Sequence, residues 1–118
     1  MPSLSRPVAV AALLAAVSSA FAHPRLQASE PAGGATVPAP AAARLRFDEA
    51  VEPAASSVKV FGPGDAAVDA GKPTGADGDA RTLVSTLPKL APGAYRLEWS
   101  TVGHDGHRTR GELRFTVK

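Results

Sequence analysis

Residues 23–118 predict an all-β fold, an immunoglobulin-like Greek-key β-sandwich of about seven strands, on three observations. Apolar and polar residues alternate with period two in several short runs. Proline and glycine clusters separate those runs. No stretch sustains the 3.6-residue period of a helix, and the alanine-rich segment 38–43 is interrupted by Pro38 and Pro40. Short strands with frequent turns, in about a hundred residues, are the pattern of a two-sheet sandwich.

Ahead of that domain, residues 1–22 read as a secretory signal. Arg6 supplies the basic start, Val8 to Val17 an apolar run, and Ala20-Phe21-Ala22 a small-x-small cleavage site. Ten apolar residues are too few to cross a bilayer as a helix. Cleavage after Ala22 gives a domain beginning at His23; a cut after Ala20 satisfies the same rule. The alternating runs then follow in order: Arg44–Asp48, Ser57–Val60, Tyr95–Trp99 and Glu112–Lys118, each a strand with one wet face. Arg25–Ser29, Ala66–Asp69 and Thr82–Leu87 are weaker strand candidates. Pro31 to Gly34, Gly62-Pro63-Gly64, Gly75 to Asp79 and Pro92-Gly93 carry turn chemistry. Gly71–Ala80 reads as the most mobile loop.

Composition removes several function classes. Only Arg6, among the 13 basic and 11 acidic residues, falls in 1–22, so the domain is nearly neutral. Its charges are interspersed, which is no footprint for nucleic acid or an anionic membrane. There is no cysteine, which excludes thiolate metal sites, cysteine nucleophiles and disulfides. The one methionine is Met1. A domain this small, without disulfides, must be held by packing or by a ligand.

The residues with chemistry are few. The histidines are His23, His104 and His107. His23 as a first residue offers its α-amine and ring Nδ1 as a chelate. Pro24 has no N–H for a metal to displace, so coordination must be completed from elsewhere in the fold. Asp105-Gly106-His107 sits between two strong strands. Its acid and imidazole are two residues apart, with Gly106 able to take a positive φ. Amine, imidazole and carboxylate donors favour Cu(II). Each feature also has an ordinary reading, a solvated loop histidine or a common Asp-Gly turn, and spacing alone leaves both open.

The motifs of the domain resemble those of the CopC family of periplasmic copper-binding proteins. Ser29-Glu30-Pro31-Ala32-Gly33-Gly34-Ala35 is similar to its S-x-P-A-x-G-A stretch. Residues 45–52 (LRFDEAVE) are similar to L-x-F-S-E-P-V-E, and residues 90–99 (LAPGAYRLEW) to L-x-P-G-x-Y-x-V-x-W. Asp105-Gly106-His107 followed by 111–117 (GELRFTV) resembles D-G-H-x-x-x-G-x-x-x-F-x-V. The resemblance implies a Cu(II) site of His23, Asp105 and His107. It also implies Glu49 as a weak ligand or a hydrogen-bond partner of the amine. Two departures stand out. The domain has no methionine for the Cu(I) site of some members, and His104 stands where the family more often has a small residue, with no role assigned to it.

The expectation is therefore a monomeric, non-enzymatic periplasmic carrier or scavenger of copper, working beside an inner-membrane copper transport protein. Two other classes predict different behaviour. A copper monooxygenase using a histidine brace would need an exposed aromatic face and would form peroxide with reductant. A metal-free interaction sandwich would be indifferent to loss of His23 or His107.

Overall fold

The computed structural model describes Ser3 and residues 24–118. Apart from Ser3, the proposed signal 1–22 lies outside the described residues, as do both cut sites and His23. Nine strands build two facing sheets: β1 (Leu26–Glu30), β2 (Thr36–Val37), β3 (Ala42–Phe47), β4 (Ser57–Phe61), β5 (Ala67–Val68), β6 (Thr74–Ala76), β7 (Asp79–Thr86), β8 (Gly93–Val102) and β9 (Arg108–Val117). One sheet has the order β1-β3-β7-β6, the other β2-β9-β8-β4-β5. All pairs are antiparallel except β2 with β9. The chain changes sheet repeatedly, as a sandwich of distant strand pairs requires.

The alternating runs explain the core. Leu45 and Phe47 of β3 and Leu83 of β7 face Val60 of β4, Tyr95, Leu97 and Trp99 of β8, and Leu113, Phe115 and Val117 of β9. Their polar neighbours, such as Arg44, Arg46, Lys59, Glu112 and Arg114, face outward. Phe47 meets Trp99 edge-to-face at 5.0 Å, and Tyr95 stacks on Phe115 at 5.5 Å. The Trp99 ring fits because its cross-strand partner is Gly111. A Cβ there would lie 2.5 Å from the indole Cζ2. At the start of β8, the Tyr95 hydroxyl donates to the Ala91 carbonyl at 2.6 Å and pins the corner where the chain enters the strand.

Seven of the strands answer to runs read from the sequence. The other two, β2 and β6, are short and carry no alternation. The stretch 71–80, expected to be a mobile loop, instead contains β6 and the start of β7, joined as a tight hairpin with Gly78 at φ 72°. Backbone pairing to Leu83 and Val84 holds it, which local composition does not reveal. No helix among the described residues is long and apolar enough to cross a membrane.

Candidate metal centre

One end of the sandwich gathers three separated pieces of chain: the segment entering β1, the residues after β3, and the loop joining β8 to β9. The loop is a tight turn. Gly106 donates to the Gly103 carbonyl at 3.0 Å, and Gly103 donates to that of His107 at 3.2 Å. Gly106 takes φ 82°, the left-handed conformation that glycine adopts at least cost. Asp105 folds onto His107 twice. Its Oδ1 accepts the His107 backbone N–H at 3.0 Å, and its Oδ2 lies 2.8 Å from the ring Nδ1. With Asp105 ionised, Nδ1–H donates and the ring's lone pair resides on Nε2. A carboxylate that fixes an imidazole's tautomer in this way is how metal-binding histidines are usually oriented.

The segment entering β1 is clamped from both sheets. The Pro24 carbonyl accepts the Thr109 hydroxyl of β9 at 2.9 Å. The Arg25 N–H donates to Asp48 Oδ1 at 2.8 Å, and Asp48 N–H donates back to the Arg25 carbonyl at 2.9 Å. Pro24 is itself buried. Asp48, just past β3, and Thr109 of β9 therefore hold Pro24 and Arg25 in place.

Glu49 follows directly and is half-buried. Its place is seen best from Gly103, which is buried and forms an isolated antiparallel bridge with Val51. A Cβ on Gly103 would lie 2.7 Å from Glu49 Oε1, 3.0 Å from Pro24 Cγ and 3.3 Å from Asp105 Oδ1. Two carboxylates and the Pro24 ring thus share one small space, and only glycine leaves room for them. Glu49, Asp105 and His107 are brought to the same end of the fold. His23, which is bonded to Pro24, lies outside the described residues. Among the described residues no group of three or more metal-ligating side chains is assembled.

Sequence reasoning missed one partnership here. His104 Nδ1 lies 3.2 Å from Glu52 Oε1, both side chains well exposed. Glu52 matches no motif, and the two residues are neighbours only because Glu52 N–H donates to the Val102 carbonyl at 2.9 Å beside the Val51–Gly103 bridge. A long-range backbone bridge of this kind leaves no local signal. Tyr95 and Trp99 are both buried, so neither contributes to an exposed aromatic face.

A small two-sheet β-sandwich that carries Glu49, Asp105 and His107 at one end, beside Pro24, defines the class: an all-β scaffold with histidine and carboxylate side chains at one pole. The chain belongs to the CopC family, whose domain matches residues 26–118. It is 35% identical to copper resistance protein C of Xanthomonas campestris pv. juglandis, over 98% of this chain and 96% of that one. It is 36% identical to protein YobA of Escherichia coli K12, over 85% of this chain and 82% of that one. Among solved structures it resembles PcoC, a methionine-rich copper resistance protein from Escherichia coli, with a TM-score of 0.76 and 32% identity over 82% of this chain and all of that one. Residues 24–118 contain no methionine.

Proposed function

We propose that this protein captures and carries Cu(II) in the periplasm, on a site completed by removal of residues 1–22. The observation that carries this reading is the convergence on Gly103. Pro24, Glu49 and Asp105 crowd one point, and Thr109 and Asp48 fix the start of the chain beside it. A chain that begins at His23 then presents its α-amine and ring Nδ1 next to the Asp105–His107 loop. His107 supplies an imidazole nitrogen oriented by Asp105. Asp105 acts through the ring it holds, fixing the tautomer and adding negative charge to the site, and Glu49 accepts a hydrogen bond from the amine or binds weakly. Hard and borderline nitrogen and oxygen donors, without thiolate or thioether, suit Cu(II) over Cu(I).

The chain's own groups set the pH dependence. The ion can enter only when the amine and the imidazoles have lost their protons. Protons compete with the ion for these nitrogens, so affinity falls as the pH is lowered. Sequestration and delivery to an inner-membrane copper transport protein both follow from such a site.

The test is titration of the processed protein with Cu(II), following Trp99 emission. Trp99 lies on β8, four residues before Gly103, about 13 Å away at ~3.3 Å per residue, close enough for a paramagnetic ion to quench it. Saturable one-to-one quenching that is lost in His107→Ala supports the reading. No binding by equilibrium dialysis would leave a metal-free interaction sandwich instead, and peroxide formation above that of free copper would point to an enzyme.

A further inference from the structure

The copper site proposed above uses neither His104 nor Glu52, and their geometry is that of a second pair of donors. The Val51–Gly103 bridge and the bond from Glu52 N–H to the Val102 carbonyl hold two short extended segments antiparallel. Side chains on such segments alternate between faces. Val51 and Gly103 are buried, whereas Glu52 and His104, the residues that follow each of them, are exposed.

His104 Nδ1 and Glu52 Oε1 are 3.2 Å apart. Two donors held ~2.0–2.1 Å from one ion stand about 2.9 Å apart at a right angle and about 3.4 Å apart at a tetrahedral one. The separation already falls within that bite. The side chains are 72% and 50% exposed, so water can fill the remaining positions. Arg108, the nearest cation on the following strand, donates to the Ala55 carbonyl and to Ser100 Oγ, and makes no ion pair with Glu52 among the described residues. The pair adds little as a brace, because exposed ion pairs contribute little and two backbone bonds already close the loop.

We propose that Glu52 and His104 form a second, weaker site for a borderline divalent cation such as Cu(II), on the rim beside the main one. It has two protein donors, with water completing the coordination, so its ion exchanges faster than one held by a chelate of three or more. The proposal rests on the His104–Glu52 geometry alone and holds whether or not the main site is assembled as described.

Equilibrium dialysis of the processed protein against Cu(II), with the electron paramagnetic spectrum recorded after each equivalent, tests it. A second equivalent, weaker than the first and with its own spectrum, is expected. His104→Ala removes that equivalent. Glu52→Gln weakens it at least about tenfold, because even indirect partners of a metal site are worth that much. Both substitutions leave the first equivalent unchanged. His107→Ala has the converse effect, weakening the first equivalent and sparing the second, so failure of the main site is distinguishable from failure of this one. Binding in which no equivalent is lost on His104→Ala, or in which the equivalent so lost is indifferent to Glu52→Gln, overturns the proposal.

Discussion

Asp105 is the residue on which the site turns. It caps its own loop through the His107 N–H and holds the ring of the same residue. Asp105→Asn keeps an acceptor for the backbone but loses the charge that favours a cation and sets the tautomer. Cu(II) affinity is expected to fall about 10–100-fold, read by competition with a chelator, with the melting temperature of the metal-free protein nearly unchanged. Gly111 makes a complementary prediction away from the metal. Its missing side chain is where the Trp99 ring sits, so Gly111→Ala overpacks the core and costs about 1–3 kcal/mol in denaturant unfolding, with a shifted Trp99 emission maximum in the folded state.

Among the strands, the ends matter more than the middles. The end of β3, the start of β9 and the turn after β8 meet, and Thr109 joins them to Pro24. Thr109→Val preserves shape and β-propensity but leaves the Pro24 carbonyl without that donor. A loss of about 1 kcal/mol is expected, together with weaker Cu(II) binding because the chain's start is less firmly held. The same level explains what could be read in advance. Strands such as Glu112–Lys118 announce themselves, since half their residues must be apolar to reach the core. Strand β2 is two residues whose pairing is to Thr116 and Val117, and nothing in Thr36-Val37 encodes it. The Asp-Gly-His loop was legible because its chemistry is contiguous. The His104–Glu52 pair was not, because a backbone bridge between segments some fifty residues apart creates it.

Taken as a whole, the molecule separates its stability from its binding chemistry. Asp79, far along the chain from the loop, is held below the ordinary carboxylate range, first by the Thr82 hydroxyl and then by the Arg81 N–H. A lowered folded value means that its contribution is present above the unfolded pKa and disappears only as the pH falls through the folded one. That is an acid-range effect. Copper release on mild acidification is then expected to come from protonation of the donors, ahead of the acid-range loss that Asp79 contributes. Circular dichroism of the metal-free protein should stay flat under mild acidification while affinity falls. Saturation should also stabilise the fold. At a hundredfold excess over Kd the gain is about 2.7 kcal/mol, or roughly 10–20 °C in a domain of this size, read by a thermal melt.

If the amine of His23 is a ligand, as proposed, removal of residues 1–22 creates the site. The most direct measurement compares Cu(II) affinity of protein beginning at His23 with that of the same protein beginning one residue earlier, at Ala22. The extra residue converts the amine to an amide and changes nothing in the sandwich. Affinity should drop at least about tenfold, with fewer protons released on binding. Equal affinities and equal proton release would contradict the claim and leave the Asp105–His107 loop to bind copper without the N-terminus.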